Sequence, residues 1–401
     1  MVPQEQPPRF ARLVLVGPNG DPVGALPLIP VASPWWNDIE PLANAVEERY
    51  GARPTVLRLL STAGDGPAGG EVTYLAELSA TGLPLEPWSG ELDEHPLRLP
   101  WARPGGPAAD LDWATTVLAA QGLEPSAAPV QVRTWNLSSV WRIPLGTQNA
   151  WLKAAPPFFG HEGAIIDALS GGPVPRAYAH EFGRVLLTEI PGEDQYDAQL
   201  PALLEFVSAL VSIQAEWTLR GDELLALGLP DWRGPALTEA IASVFERNRV
   251  SLDRHDATVL EEFVHELPEL FARLDECGMP DGLVHGDFGP NNVRGSAGAF
   301  TILDWGDSGV GHPLLDQSAF LERAAKPDVA PVREHWEREW LERLPESQPR
   351  LAAELVTPIA AARQAVIYQC FLDNIEPAEQ VYHRDDPVSW LKETAGILTR
   401  A

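Results

Sequence analysis

The 401-residue chain contains little cysteine and few basic residues. Cys277 and Cys370 are its only cysteines, which is too few for a disulfide framework, and neither has the spacing of a metal ligand. Acidic residues number 57 against 29 basic ones, which gives a formal net charge of −28 at pH 7. This excess would repel a nucleic-acid backbone or an anionic membrane. We therefore expect no nucleic-acid and no membrane partner. The charge could attract a cationic small substrate, although it could equally serve solubility alone.

Long apolar runs are also missing. No run approaches the roughly 18 apolar residues of a membrane-spanning helix. The first eight residues, MVPQEQPP, lack the basic start and apolar core of a secretory signal. A cytoplasmic protein is the resulting prediction. The chain is too long for one hydrophobic core, so more than one domain is expected.

Hydrophobic periodicity predicts three regions. Residues 1–109 show strand patterns around one helix, from Ile39 to Tyr50, and end in a linker rich in Pro and Gly. Residues 110–190 combine a connecting helix, which we expect Asp110 to cap, with several short strands. Residues 191–401 are mainly helical. We therefore predict an α+β protein, with a small α+β N-terminal domain before a β-rich lobe and a helical lobe.

The N-terminal region contains one motif-like run. AVEERYG, residues 45–51, resembles the back half of a Nudix box, so residues 1–109 could be a degenerate Nudix-like domain. The run of metal-binding glutamates is incomplete, and the upstream Glu and Arg of the box are missing. A non-catalytic cap or a partner-binding domain is the better interpretation.

The most informative segment is LVHGDFGPNNV, residues 283–293, followed by ILDWG, residues 302–306. It places Asp287 on a predicted loop after an apolar strand. Phosphoryl transfer from a nucleotide needs a group that orients the attacking hydroxyl and accepts its proton, together with oxygen ligands for Mg2+. Alone, Asp287 would be interpreted as a turn or cap aspartate. With Asn292 and Asp304 nearby, we predict that Asp287 is the general base.

Asn292 and Asp304 are the predicted Mg2+ ligands. Amide and carboxylate oxygens are the hard ligands that this ion prefers. A tight turn at residues 295–298 should bring the two residues together across a hairpin. Asp304 follows an apolar strand, where an unpaired carboxylate would be costly, and a bound cation would remove that cost.

Two further residues are predicted to support the catalytic loop. We expect His285 to be buried and hydrogen-bonded to backbone near Asp304. We expect Asp316, at a helix start, to tie the loop down, although an ordinary helix cap is an equally good interpretation.

The scarcity of lysine singles out one residue. Of the three lysines, only Lys153 lies in the first 325 residues, at the end of the strand pattern AWLK. A compact ammonium there suits binding to the phosphates of ATP. Glu162 opens a predicted helix nine residues later and could pair with Lys153. The alternative is a surface lysine and an unrelated helix-start glutamate.

The loop expected to cover the nucleotide phosphates contains no glycine. Its sequence is TWNLSS, residues 134–139. The hydroxyl and backbone N–H groups of Ser138 and Ser139 could contact the phosphates instead.

The motifs at 285–292, 304–306 and 311–316 resemble those of the aminoglycoside phosphotransferase and choline kinase families, which are relatives of the protein kinases. With Lys153 and Glu162 upstream, the resemblance covers roughly residues 130–400. It implies a bilobal protein-kinase-like fold, catalysis by Asp287 and binding of ATP and Mg2+. It also implies that backbone around Thr188 to Ile190, including Glu189, holds the adenine. The glycine-free loop and the extra N-terminal domain depart from the family pattern.

The resemblance implies a small-molecule substrate with a hydroxyl group, such as an amino sugar or an aminoglycoside. A polar run near the C-terminus is our candidate for binding its amines or hydroxyls, and a solvated helix end is the alternative. The run consists of Gln369, Asp373, Asn374 and Glu376.

Two other functions stay open at this point. A catalytically silent nucleotide-binding pseudokinase that acts through its N-terminal domain is favoured by the glycine-free loop and opposed by the complete set of catalytic residues. A protein kinase is disfavoured, because no Ala-Pro-Glu segment follows Asp304.

Overall fold

The computed structural model describes residues 7–17, 20–64, 66–296 and 298–400. Contacts divide the chain into two compact units. The first unit contains Met1–Phe158, Ala177–Glu189 and Leu372–Arg384, and the second contains Phe159–Arg176, Ile190–Phe371 and Asp385–Ala401. The predicted N-terminal domain and most of the predicted small lobe thus share one unit. Leu372–Arg384, which the sequence assigned to the helical lobe, belongs to that unit as well, and we call it the docked segment.

The first sheet of the first unit is mixed. Its strand order is β2-β1-β5-β4, with β3 also paired to β1, and only the β1–β5 pair is parallel. The strands are β1 (Arg9–Val16), β2 (Pro22–Ala25), β3 (Ile29–Val31), β4 (Thr55–Thr62) and β5 (Gly70–Glu77). Helix α1 (Glu40–Tyr50) buries Leu42, Ala43 and Val46, and it ends at Gly51, which adopts φ 72°. This left-handed cap is a conformation that glycine adopts without steric cost.

The second sheet of the first unit is antiparallel throughout, in the order β6-β7-β8-β10-β9. Its strands are β6 (Val130–Trp135), β7 (Ser138–Leu145), β8 (Gln148–Ala154), β9 (Ala177–Glu181) and β10 (Arg184–Thr188). Helix α2 (Gly106–Ala120) precedes the sheet and begins four residues before Asp110. The prediction that Asp110 caps this helix is therefore wrong. Asp110 lies inside the helix, where it accepts a hydrogen bond from Arg184 Nη1 at 3.2 Å.

The docked segment contributes to the core of the first unit. The Tyr382 ring lies edge-on to Trp36 and Trp135, with centroid distances of 5.7 and 5.5 Å. The Leu59 N–H donates to Glu379 Oε1 at 3.0 Å, and Arg98 Nη2 donates to Glu376 Oε2 at 2.9 Å. The chain therefore stabilises its N-terminal region with residues from near its C-terminus.

The second unit is mainly helical and contains two small sheets. The sheets are β11-β13-β14 and β12-β15, all antiparallel. The strands are β11 (Glu193–Asp194), β12 (Gly282–Val284), β13 (Val293–Ser296), β14 (Ala299–Ile302) and β15 (Gly309–Gly311). The helices are α3 (Glu162–Ala168), α4 (Leu200–Glu216), α5 (Gly221–Ala226), α6 (Gly234–Asn248), α7 (Arg254–Asp275), α8 (Leu315–Arg323), α9 (Val329–Arg343), α10 (Pro349–Asn374, whose last three residues belong to the first unit) and α11 (Asp386–Arg400).

Helix α10 is long and apolar enough to qualify as a membrane span by length and composition alone. The sequence prediction of no such segment missed this helix. However, 61% of its most apolar window is buried inside the protein. Such burial is the usual property of a core helix, so this helix is weak support for a membrane span.

Candidate active site

The predicted catalytic loop connects β12 to β13 in the second unit. Strand β12 pairs with β15, and the chain leaves β12 directly into His285 and Gly286. Asp316, the second residue of α8, accepts the His285 N–H at 2.8 Å and the Gly286 N–H at 2.7 Å. Asp316 is not the cap of α8, a position that Leu314 occupies. Burial raises the pKa of the Asp316 carboxyl, while His285, the two loop N–H groups and Arg363 act in the opposite direction.

Asp287 and Asn292 lie against each other in this loop. Asn292 Nδ2 donates to the Asp287 carboxylate Oδ2 at 2.9 Å and to the Asp287 carbonyl at 2.8 Å. Both partners are oxygens, which can only accept, so the end of the Asn292 amide that faces them must be its NH2 group. Asn292 Oδ1 is therefore left to accept a hydrogen bond or to bind a cation.

Asp304 lies across a hairpin from Asn292. Strands β13 and β14 pair from Val293 to Ile302, and the Leu303 N–H continues the ladder to the Asn292 carbonyl at 2.7 Å. Asp304 itself leaves the strand with φ 62° and ψ 61°, a left-handed conformation that aspartate tolerates better than most residues. Its side chain is exposed. Asp304 is therefore not the buried carboxylate that the sequence predicted, and no cation is needed to offset its burial.

The side-chain oxygens of Asn292 and Asp304 are hard ligands, which suit Mg2+. The Asn292 oxygen is at the end of the amide that points away from Asp287. Such a site would use two protein ligands and leave positions for water and phosphate oxygens. No group of three or more His, Cys, Asp or Glu side chains with metal-site geometry occurs in the described part of the chain.

His285 is buried beneath the loop. Its Nε2 forms a 2.9 Å hydrogen bond with the carbonyl oxygen of Leu303, the residue before Asp304. The ring also packs on Trp305 with a centroid distance of 4.5 Å. His285 thus connects the loop that carries Asp287 to the strand that leads to Asp304.

Two arginines that the sequence analysis did not single out contact this loop. Arg323, the last residue of α8, forms an ion pair with Asp287 Oδ1 through Nη2, and its Nη1 donates to the Phe288 carbonyl at 3.2 Å. Arg363, in α10, donates from Nη2 to the Gly286 carbonyl at 2.6 Å. A sequence signal existed for Arg363, since it is a lone charge in the apolar run IAAARQAVI, residues 359–367. A charge on a buried helix face needs a partner.

The first unit holds four of the six predicted nucleotide residues. Lys153 lies on the middle strand of the second sheet, where it pairs in register with Val140 and Val185. Glu189 follows β10 and accepts hydrogen bonds from the backbone and side chain of Asn149 at 2.9 and 2.6 Å.

Ser138 and Ser139 are both buried, with exposures of 6% and 1%. Ser138 Oγ accepts a hydrogen bond from Trp135 Nε1 at 3.1 Å. The turn between β6 and β7 is held by the docked segment, since Asn136 Nδ2 donates to the Glu379 carbonyl at 3.2 Å. This burial is at odds with the prediction that the two hydroxyls contact nucleotide phosphates, because they face protein and not solvent.

The remaining predicted nucleotide residues lie in the second unit. Glu162 is the first residue of α3 and is buried, with an exposure of 4%. The Ile190 carbonyl accepts a hydrogen bond from Arg294 Nε at 3.0 Å.

The four candidate substrate residues are divided between the two units. Gln369 is buried in the second unit, where its Oε1 accepts from Asn248 Nδ2 at 3.0 Å. Asp373 and Asn374 are exposed in the first unit. Glu376 is held by Arg98, which donates through both Nε and Nη2. The carboxylate of Glu376 thus has a structural role in the docked segment, which weakens its candidacy for binding an amine.

Comparison with known proteins identifies the family. The sequence profile of the phosphotransferase enzyme family, APH, matches residues 126–385. Because this match spans well over half of the chain, the protein belongs to that family. Sequence comparison with curated proteins gives no significant match.

Solved structures share the fold at low sequence identity. A candidate aminoglycoside phosphotransferase from Ralstonia eutropha JMP134 has a TM-score of 0.50 and 16% identity, over 72% of this chain and 98% of the other. A choline/ethanolamine kinase family protein from Mesorhizobium loti has a TM-score of 0.50 and 15% identity, over 72% and 94%. An ethanolamine kinase from Plasmodium vivax has a TM-score of 0.50 and 10% identity, over 70% and 85%. The predicted fold class, α+β with a protein-kinase-like architecture, is confirmed.

Proposed function

We propose that this protein is a cytoplasmic ATP- and Mg2+-dependent kinase that transfers the γ-phosphoryl group of ATP to a hydroxyl of a small molecule. The observation that carries this proposal is the Asp287–Asn292 contact. The Asn292 amide donates to the Asp287 carboxylate within a loop that Asp316 fixes, and the amide oxygen would be available to a metal ion. Membership of the phosphotransferase family supports the same reaction class.

In this proposal Asp287 orients the substrate hydroxyl and accepts its proton. The hydroxyl oxygen bonds to the γ-phosphorus of ATP as the bond from that phosphorus to the bridging oxygen breaks and ADP leaves. Among the described residues, Arg323 contacts Oδ1 of the Asp287 carboxylate and Asn292 contacts Oδ2. A carboxylate oxygen can accept more than one hydrogen bond, so capacity remains for the hydroxyl. Mg2+, when bound by Asn292 and Asp304, would neutralise phosphate charge.

Lys153 is our candidate for the phosphates of ATP, with Glu162 as its partner. Glu162 is almost fully buried, and a buried carboxylate needs a cation or several donors. The backbone at Glu189 and Ile190 stays the proposed adenine contact. Amino sugars, aminoglycosides and amino alcohols are the first substrates to test, because the net charge of −28 favours cations.

The test is ATP consumption with Mg2+ across a panel of amino sugars, aminoglycosides, neutral sugars, choline and amino alcohols. Asp287→Asn is the blank, and we expect its turnover to fall by about 10²- to 10⁴-fold while ATP binding persists. Asp275→Asn is the matched control, since Asp275 is an exposed aspartate at the end of α7. Substantial turnover by Asp287→Asn would remove Asp287 from the role of base.

A catalytically silent pseudokinase is the second candidate, and one observation favours it. The turn expected to cover the phosphates is buried and held by the docked segment through Asn136. In that case, calorimetry would detect Mg2+-dependent ATP binding while no substrate in the panel is phosphorylated.

A further inference from the structure

A fully buried arginine contacts the backbone just before Asp287. Arg363 is 1% exposed, and its Nη2 donates to the Gly286 carbonyl at 2.6 Å. Its guanidinium carbon lies 4.2 Å from the centre of the Trp232 ring, which is cation–π distance. Trp232 therefore supports the guanidinium on one face while Gly286 is bonded at its edge.

Gly286 is held from two directions by opposite charges. Asp316 accepts its N–H at 2.7 Å, and Arg363 donates to its C=O. The two peptide groups that flank Gly286 are thus both fixed, and the second of them carries Asp287. Hydrogen bonds to charged groups are about twice as strong as neutral ones.

The local backbone leaves Gly286 little freedom. Its φ is 93°, and a Cβ at this position would lie 1.9 Å from the Asp307 carbonyl oxygen. The loop therefore follows a path that glycine adopts without steric cost, whereas any side chain at this position would collide with the Asp307 carbonyl.

Arg363 is placed at a real energetic cost. Burial of a charged guanidinium costs free energy unless an opposite charge compensates it. Asp316 is equally buried and of opposite sign, which makes the two charges mutually compensating.

We propose that Arg363 is a positioning residue for the catalytic loop: with Asp316 it clamps Gly286 and thereby sets the position of the Asp287 carboxylate. The effect of Arg363 on turnover rests on the proposed phosphotransfer. The clamp on Gly286 is a structural claim and does not depend on that function. The clamp predicts that the loop loosens when either charge is removed, even without substrate.

Hydrogen–deuterium exchange of the full-length protein tests the clamp without any activity. In Arg363→Met we expect amides in peptides covering residues 283–293 to exchange at least about tenfold faster than in wild type. Arg350→Met is the matched control, because Arg350 is on the same helix but exposed and paired with Glu337. It should leave exchange in residues 283–293 unchanged. Wild-type exchange in a folded Arg363→Met protein would overturn the proposal.

Two milder variants cover the case in which Arg363→Met does not fold. Arg363→Lys keeps the charge but loses the planar fork, and Trp232→Leu removes the ring beneath the guanidinium. We expect intermediate exchange in both. If both match wild type, the clamp is refuted.

Kinetics separate positioning from general destabilisation. On the substrate found by the panel, Arg363→Met should lower kcat by about 10- to 100-fold with the ATP KM nearly unchanged. Arg363→Lys should recover part of the loss. The double variant Arg363→Met/Asp316→Asn should lose no more than the worse single variant, because both act on one peptide. If the loss of kcat in the double variant were the product of the losses in the two single variants, the two residues would act independently, and a shared clamp would be contradicted.

Failure of the proposed function is distinguishable from failure of this inference. If wild type phosphorylates no substrate, the function fails, and the exchange of residues 283–293 still decides whether Arg363 holds the loop.

Discussion

The catalytic loop and the docked segment are assembled in opposite ways. In the catalytic loop, Asn292 contacts a residue five positions away, and Asp316 contacts Gly286 over 30 positions. In the docked segment, Glu379 meets Leu59 over 320 positions, and Glu376 meets Arg98 over 278. One stretch of the chain, residues 285–316, therefore supplies most of the first region, with Arg363 added from α10, while only the complete fold creates the second.

The two regions also differ in what holds them. The loop depends on backbone groups bonded to buried charges at Asp316 and Arg363. The docked segment depends on burial, since Tyr382 joins the hydrophobic core around Trp36 and Glu379 is only 5% exposed. Substitutions in the loop should therefore change turnover more than stability, and substitutions in the docked segment should do the reverse.

The largest effect expected from this comparison is a loss of stability in Tyr382→Ala. Removal of a ring that packs on Trp36 and Trp135 should lower the free energy of unfolding by about 3 kcal/mol. Urea unfolding measures this change. Phe182→Ala is the control, because that ring is 72% exposed in the same unit and should matter little. If Tyr382→Ala lowered the free energy of unfolding no more than the small change expected for Phe182→Ala, the docked segment would add nothing to the core.

Gly286→Ala tests the loop side of the comparison. The added Cβ would lie 1.9 Å from the Asp307 carbonyl, and φ is 93°. The loop must therefore shift by about an ångström or more, which should lower kcat by about 100-fold. Gly146→Ala is the control, since Gly146 has φ 75° but open space around its Cβ position. Phosphotransfer and thermal unfolding, measured on both variants, separate catalysis from backbone strain. A similar kcat in the two variants would contradict the close packing at Gly286.

The same comparison explains what the sequence could predict. The family, the fold class and the contact of His285 with backbone next to Asp304 all follow from motifs whose spacing is local. Helix α1 with its Gly51 end was also predictable, because periodicity and capping are local properties.

The departures from expectation share one physical origin. The burial of Ser138 and Ser139, the pairing of Glu376 with Arg98 and the exposure of Asp304 all depend on which distant segment covers a residue. Local sequence patterns do not show which distant segment packs over a given residue. The predicted cap at Asp110 failed for a smaller reason: a Gly-Gly-Pro sequence allowed the helix to start earlier, at Gly106.

Glu379 gives the docked segment a pH dependence. Burial, with Glu376 adding in the same direction, raises the pKa of Glu379 to about 7, whereas the Leu59 N–H and Arg58 oppose the shift. The folded protein therefore keeps a proton that the unfolded chain releases near its usual pKa of about 4.3. The stabilising contribution of protonated Glu379 is complete at low pH and is lost as pH rises toward and through 7.

Glu379→Gln should remove this dependence and keep the oxygen that accepts the Leu59 N–H. At pH 8 we expect the variant to be more stable than wild type by about 2 kcal/mol, with the difference shrinking toward pH 5. Urea unfolding at several pH values measures it. The exposed Glu354 of α10 is not part of this packing, so Glu354→Gln serves as the control. A constant difference between Glu379→Gln and wild type at all pH values would mean that Glu379 is not the titrating group.

The smallest expected effect concerns Arg323. This residue contacts the catalytic loop but is not buried as Asp316 and Arg363 are. It is partly exposed, with 36% of its side chain accessible, yet it pairs with Asp287 and bonds the Phe288 carbonyl. A partly exposed ion pair contributes little to stability, so Arg323→Met should unfold almost as wild type does. Loss of the loop contact should still lower kcat by about tenfold. Arg338→Met, on α9 and outside the catalytic loop, is the control. A rise in kcat of Arg323→Met would reverse the interpretation, because it would show that the ion pair restrains Asp287 and must open before the substrate hydroxyl can bind.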